Sequence, residues 1–159
     1  MDNSILFLRR AEAQDENIIL EWINDKTSRL NSFNIEEISP QTHRKWFHEI
    51  LNADDKELFI LMNGKTPVGQ IRLEVVGDCG TVSYSICERY RGHGYGKTML
   101  QLLENWITIH YEIEFFIIGL VKKNNDISSH IFESVDYKKN ENNEYIKYTK
   151  KISPPKRND

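Results

Sequence analysis

Apolar and polar residues follow two periods along this chain. Ile5–Arg10 is a short extended run that predicts a first strand. Between Asp15 and Ile23 the apolar residues Ile18, Ile19, Trp22 and Ile23 share one stripe, which predicts an amphipathic helix with Asp15 as its cap. Asn24–Ser39 is polar, rich in Asn and Ser, and reads as irregular. Pro40 suits the first turn of a second helix, in which Trp46, Phe47, Ile50 and Leu51 keep the helical rhythm counted from His43. Three strands follow, Leu58–Met62, Val68–Val76 and Thr81–Cys87, joined by turn-forming Asn63-Gly64-Lys65 and Gly77-Asp78-Cys79-Gly80. A long helix is predicted over Lys97–His110, with Met99, Leu100, Leu103, Trp106, Ile107 and His110 on one side. Phe115–Val121 is an unbroken apolar run, the pattern of a strand covered on both faces. Ile127–Ser134 predicts a short helix, and Val135–Lys139 with Glu144–Ile152 a closing hairpin around Asn140–Asn143.

The order βααβββαβαββ predicts one α+β (mixed α/β) domain over residues 1–152. Its central sheet is mixed, mostly antiparallel and flanked by helices, with an antiparallel meander first and a β-α-β crossover in the middle. Residues 153–159, which include Pro-Pro-Lys-Arg-Asn-Asp, are expected to form a disordered tail.

Composition narrows the function classes. The chain has 159 residues, one domain's length, and 39% hydrophobic residues, enough for a packed core without staples. No apolar run approaches the ~18 residues of a membrane span, so no membrane partner is expected. The 21 Lys+Arg against 24 Asp+Glu lack the basic excess of a general nucleic-acid binder. Charge is uneven, with 9 basic and 14 acidic groups in residues 1–80 and 12 and 10 in residues 81–159, so a phosphate-bearing ligand is expected on the second half. Cys79 and Cys87 form neither a disulfide framework nor a C-x-x-C motif, which points to a reducing compartment, the cytoplasm. Met-Asp-Asn-Ser-Ile-Leu-Phe-Leu lacks a basic n-region and reads as a strand, not a signal peptide. The five histidines are scattered, so no metal site is expected.

The most informative stretch is Arg91-Gly92-His93-Gly94-Tyr95-Gly96-Lys97, between a strand and a long helix. Alternate glycines let a ligand lie against peptide N–H groups, and the helix that follows adds unpaired N–H groups and a positive dipole end, together a cradle for a diphosphate. Arg91 and Lys97 add charge at its edges. The G-x-G-x-G spacing fits neither the G-x-G-x-x-G dinucleotide fingerprint nor the P-loop, whose first glycine falls at Arg91. It does satisfy [QR]-x-x-G-x-[GA] through Arg91, Gly94 and Gly96.

Ile86-Cys87-Glu88-Arg89-Tyr90-Arg91-Gly92-His93-Gly94-Tyr95-Gly96-Lys97, followed by an amphipathic helix, resembles the acetyl-coenzyme-A signature of the GNAT superfamily of N-acetyltransferases. Asn125, Ser128, Phe132, Glu133, Asp136 and Tyr137 resemble that family's N-x-x-A-x-x-x-Y-E-x-x-G-F element, and the order of elements agrees over nearly the whole chain. The resemblance implies a GNAT-like fold and acetyl-coenzyme A as cofactor. It implies that the backbone of Arg91, Gly92, His93, Gly94, Tyr95, Gly96 and Lys97 holds the pyrophosphate. The main chain of Ile86, Cys87 and Glu88 would pair with the pantetheine arm and polarise the thioester carbonyl. Asn125, Ser128 and Phe132 would line the other side of the channel. Many relatives have a tyrosine at the position of Phe132 that protonates the departing thiolate. Its replacement leaves Ser128, Ser129 and Tyr137 as nearby hydroxyls, or a rate that rests on positioning and carbonyl polarisation.

The proton acceptor has three readings: His43, the polar member of an apolar stripe and more often a core histidine, Glu88 beside the carrier strand, or a chain of waters. The first fifty residues resemble acetyltransferases of the pseudaminic-acid pathway, which act on the 4-amino group of a UDP-linked 4-amino-4,6-dideoxy sugar. That implies a nucleotide-linked amino sugar as the small-molecule partner. By their own chemistry Arg29, Asn31, Phe33, His43 and Tyr84 are the candidate acceptor-binding residues, and a homodimer is allowed for. Arg29 could fork onto a diphosphate. Polyamines, aminoglycosides and protein amino termini are the rival acceptors, and a non-catalytic coenzyme-A sensor is the rival class.

Overall fold

The computed structural model describes residues 5–157. The strands are β1 (Leu6–Arg10), β2 (Lys56–Asn63), β3 (Thr66–Val76), β4 (Cys79–Ile86), β5 (Phe115–Val121), β6 (Lys138–Glu141) and β7 (Ile146–Ile152). The helices are α1 (Glu16–Asn24), α2 (Lys26–Asn31), α3 (Pro40–Asn52), α4 (Tyr95–His110) and α5 (Asp126–Ser134), with short 3₁₀ turns at Ala13–Asp15 and Glu88–Tyr90. The strands form one sheet in the order β1-β2-β3-β4-β5-β7-β6. Short turns join the antiparallel pairs β2–β3, β3–β4 and β6–β7, and β1–β2 and β5–β7 are antiparallel across longer connections. The exception is β4–β5, which the α4 crossover makes parallel. The mixed, mostly antiparallel architecture expected from the element order is therefore present.

The core has two layers. On one face α4 and α5 pack Met99, Leu100, Leu103, Ile107 and Phe132 against Leu61, Ile71, Leu73, Val82, Phe115 and Ile117. On the other, α1 and α3 bring Ile19, Trp22, Phe47 and Ile50 against Leu58, Ile60 and Met62 of β2. So β2 is the strand buried on both faces, not β5. In β5 only Phe115, Ile117, Gly119 and Val121 are buried, while Leu120 is 40% exposed, because α1 and α3 gather over the half of the sheet that holds β2.

Three local expectations change. Asn24–Ser39 contains α2, whose first turn Asp25 caps by accepting the Thr27 N–H at 3.1 Å. Helix α4 starts at Tyr95, two residues before the predicted Lys97. Val135–Tyr137 is not strand. It is the C-terminal turn of α5, with Tyr137 N–H donating to Phe132 O at 3.2 Å and Asp136 N–H to Glu133 O at 3.3 Å. Asp136 takes the left-handed conformation there, φ 67°, where the family element carries glycine. Ser153–Arg157 has no regular structure, and Arg157 lies 3.5 Å from Glu112; Asn158 and Asp159 of the predicted tail lie outside the described residues.

Asp15 does not cap α1 with its side chain. It is 5% exposed and accepts from both Arg9 Nη1 (2.7 Å) and Nη2 (2.9 Å) and from the Glu12 N–H (2.8 Å), tying β1 to the first helical layer. The Arg9 hydrogen bond, helped by the Glu12 N–H and opposed by burial, holds its carboxyl below the usual carboxylate range. A depressed carboxylate contributes stability above its unfolded pKa of about 3.9, lost as pH falls through the folded value. Asp15→Asn should lower stability at pH 7 by about 2 kcal/mol and flatten the acid limb of a pH–urea denaturation series.

Candidate active site

The sheet opens at its centre. Parallel pairing of β4 with β5 covers only Cys79–Val82 against Phe116–Gly119, and the strands part beyond it. On the β3 side β4 stays paired through Ile86, and the Cys87 N–H donates to Val68 O at 2.9 Å. Peptide groups alternate in an antiparallel ladder, so Ser83, Ser85 and Cys87 point theirs at β3 while Tyr84 and Ile86 point theirs into the opening. Two bonds fix this parity independently: Asp78 O accepts from the Phe116 N–H at 2.8 Å, and Ile86 O accepts from Arg91 Nε at 3.1 Å. An extended ligand entering the opening thus meets Tyr84 and Ile86. Of the three backbone positions expected to pair with it, Cys87 is already occupied.

The glycine loop leads from that strand end into α4. Gly92 and Gly94 have φ of 81° and 77°, and Gly94 is the helix cap with no side chain capping it. The N–H groups of Gly94, Tyr95, Gly96 and Lys97 precede the first helical bond, Thr98 N–H to Gly94 O at 3.2 Å. Gly96 is buried for a different reason: a Cβ there would meet Ile131 Cδ1 at 2.8 Å, so its absence lets α4 approach α5. This cradle fits a diphosphate. Lys97 is exposed at its edge, and His93 stacks on Tyr95 at 5.5 Å. Arg91 departs from expectation: its Nη2 donates to Asp25 at 2.6 Å, so the guanidinium braces the start of α2 instead of facing the cradle. Burial raises Asp25, and the bonds from Arg91 and Ser28 outweigh it, leaving that carboxyl below its usual range.

On the α5 side Asn125 caps the helix, accepting the Ser128 N–H at 3.2 Å. Ser128 Oγ lies 2.6 Å from the Tyr84 hydroxyl, a bond that joins β4 to α5. Burial pushes the Tyr84 phenol up to about 12, against the opposing Ser128 bond. Phe132 does not line a channel. It is 2% exposed, stacked on Tyr148 at 5.2 Å, with its ring lying over Gly119. Tyr137 is equally internal, its phenol raised by burial and by Glu104.

The opposite face carries the other candidates. His43 leaves the list of bases: it is 1% exposed, its Nε2 donates to Glu16 O at 2.7 Å, and its ring stacks on Phe47 at 5.7 Å. Glu88 is exposed at the end of β4. Arg29 is a scaffold residue. It donates to Ile23 O (2.6 Å), Asn34 O (2.9 Å), Glu36 O (3.2 Å) and Ser32 Oγ (3.0 Å), which leaves one N–H of five for a diphosphate. Phe33 is 57% exposed and meets Tyr145 edge-on at 6.4 Å, and Asn31 is half-buried at the end of α2.

Three residues were not among the expected site: Gln70, Arg72 and Ser85. Gln70 Nε2 donates to Ser85 Oγ at 3.0 Å, and the Arg72 guanidinium lies 5.3 Å over the Trp46 ring and 3.3 Å from Glu74. Burial lowers the Arg72 pKa, partly offset by Glu74. The polar alternation Gln70, Arg72, Glu74 against Ile71, Leu73, Val75 was the signal that marks this face. A surface depression of about 620 Å³ between Glu16, Arg44, Lys45 and His48 lies on the outer side of α3, apart from the opening.

A parted β4–β5 pair, a glycine loop and an uncapped helix N-terminus at one sheet centre define a protein that holds a phosphate-bearing extended ligand through backbone groups. The family profile described as an acetyltransferase (GNAT) domain matches residues 6–138, and the chain belongs to the GNAT acetyltransferase family. It is an acetyl-coenzyme-A-dependent N-acetyltransferase. Among solved structures it shares its fold with the spermidine N-acetyltransferase of Vibrio cholerae in complex with CoA and spermine (TM-score 0.82, 14% identity, 92% of this chain and 95% of that one). A ribosomal L7/L12 alpha-N-protein acetyltransferase in complex with coenzyme A is similar over 98% of both chains (TM-score 0.82, 13% identity). The aminoglycoside acetyltransferase AAC(6')-Ib in complex with ribostamycin and coenzyme A is similar over 91% and 92% (TM-score 0.80, 13% identity). No curated protein sequence matches the chain. Among the described residues no helix is long and apolar enough to cross a membrane, and no cluster of three metal-ligating side chains occurs.

Proposed function

We propose that the chain acetylates the primary amine of a nucleotide-linked amino sugar, with the 4-amino group of a UDP-linked amino-dideoxy sugar as acceptor. The N–H groups of Gly94–Lys97 bind the diphosphate of acetyl-coenzyme A. The main chain of Tyr84 and Ile86 takes its arm as an added strand, and the Ile86 N–H polarises the carbonyl. The amine approaches from the Trp46–Arg72 face. A sugar amine is less basic than the lysine value of about 10.4, so water at the open rim beside Glu88 suffices to take its proton.

One observation carries the choice of acceptor. Asp25, a carboxylate flanking this face, is held by Arg91, while Arg72, half-buried on Trp46, meets Glu74 through Nε and has its Nη groups left for an anionic ligand. A polycationic acceptor needs free carboxylates; an anionic, hydroxyl-rich one uses Arg72, Gln70, Ser85 and a flat aromatic face. The two free thiols agree with reaction in the cytoplasm. The exposed apolar side chains of Val76 (81%) and Ile109 (76%) leave surface for a homodimer, which light scattering would read.

Single-turnover mixtures of the protein, acetyl-coenzyme A and one amine each test this by mass spectrometry. Acetylation of the UDP-linked amino sugar is expected. Transfer only to spermidine, an aminoglycoside or a peptide amino terminus overturns the acceptor, and tight binding with no transfer makes the protein a sensor. Arg72→Ala should raise KM for the sugar nucleotide about tenfold, the effect of one lost charge-assisted contact, and leave KM for acetyl-coenzyme A unchanged.

A further inference from the structure

Cutting a thioester puts an electron pair on sulfur, and a buried thiolate needs a hydrogen-bond donor. Phe132 has none to give, and the Tyr137 hydroxyl is sealed in the core. Tyr84 meets the need by position. Its peptide group faces the opening between β4 and β5. Its ring lies below the start of α4, where a Cβ on Gly96 would stand 3.6 Å from Tyr84 Cε2. Its hydroxyl is fixed by Ser128 at 2.6 Å, one helical turn from Phe132 on the same side of α5, and its ring centroid is 6.2 Å from that of Phe132.

We propose that the Tyr84 hydroxyl, oriented by Ser128, donates a hydrogen bond to the sulfur that departs when the acetyl group is transferred. The inference rests on the acetyl-coenzyme-A reading of the site and goes beyond it. In the step, the amine nitrogen bonds to the carbonyl carbon, the C–S bond breaks with its electron pair on sulfur, and the amine's extra proton goes to water. Tyr84 keeps its own proton, and the sulfur leaves as a hydrogen-bonded thiolate that solvent protonates after release. Burial keeps the phenol un-ionised, hence a donor, throughout the neutral and mildly alkaline range.

Tyr84→Phe retains the ring and its packing, so melting temperature and acetyl-coenzyme-A affinity should stay near native. With whichever amine the native protein acetylates, kcat should fall at least about tenfold with KM for acetyl-coenzyme A unchanged. Independently of turnover, the thiol of bound coenzyme A, titrated through its thiolate absorbance, should ionise about one pH unit higher in Tyr84→Phe than in the native protein. Ser128→Ala should shift both readouts the same way by less, and it replaces Tyr84→Phe as the decisive variant if the latter does not fold. Native kcat together with an unshifted thiol titration in the folded variant overturns the proposal. If the native protein binds no coenzyme A, the cofactor reading itself fails, and this inference with it.

Discussion

Replacing Gly92 and Gly94 together by valine should weaken acetyl-coenzyme-A binding by at least about 10²-fold while leaving the melting temperature nearly unchanged. Both residues have positive φ, 81° and 77°, and a Cβ at either would meet nothing within 4 Å. The obstacle is therefore conformational, not steric. A left-handed L-residue costs about 1–2 kcal/mol, more when β-branched, so holding both positions in place costs about 2–4 kcal/mol. The loop is exposed and unpacked, so it relaxes instead of unfolding the domain. Relaxation turns the N–H groups around Gly94 away from their common target, and about 1.4 kcal/mol is a factor of ten in affinity. Gly77→Val is the matched control. It has φ of 62°, equally open surroundings and a place in the β3–β4 turn, so it should carry the strain of one such position without changing affinity. Calorimetric titration of the three proteins decides the matter. Retained affinity in the double variant would remove the diphosphate from this loop.

What the sequence made legible follows from the range of each signal. The stripes of α1, α3 and α4, the turns at Asn63–Lys65 and Gly77–Gly80 and the glycine loop are local, and each appears within a few residues of its expected place. Coverage of a strand is not local. The apolar runs of β2 and β5 look alike, and only the gathering of α1 and α3 over β2 makes one buried twice and the other once. Arginine roles were hidden for the same reason. Arg29 and Arg91 stand in polar segments that suit a phosphate, yet their partners, the carbonyls of Ile23, Asn34 and Glu36 for one and Asp25 for the other, are assigned by tertiary contacts. His43 was ambiguous in sequence because one polar residue on an apolar stripe fits either role, and its bond to Glu16 O places it in the core. The Gln70–Arg72–Glu74 alternation was readable, but as a strand signal; its meaning for the site needed the position of Trp46 on α3.

Gly119→Ala should destabilise the fold by about 2–3 kcal/mol, roughly 4–12 °C in Tm for a domain of this size. The added Cβ would stand 2.3 Å from Phe132 Cζ and 2.6 Å from Cε1. The ring cannot swing clear, because Tyr148 stacks on it with a 7° interplanar angle and Tyr137 meets it edge-on at 5.0 Å. Nor can β5 move away, since Gly119 pairs with both Val82 and Tyr148. Phe132→Leu alone leaves a cavity and also destabilises, yet in the double variant the smaller side chain makes room for the new methyl. The two changes should therefore be non-additive, with the pair more stable than the sum predicts by at least about 1 kcal/mol in urea denaturation. Additivity within about 0.5 kcal/mol would mean the ring relaxes freely and does not hold this junction. The junction matters to function because Val82–Gly119 is the last β4–β5 pair before the strands part. Phe132 packs at the inner end of the opening, supplying packing where the family element supplies a hydroxyl, and the donor proposed for the departing sulfur is instead Tyr84 of β4, held by Ser128 one helical turn from Phe132.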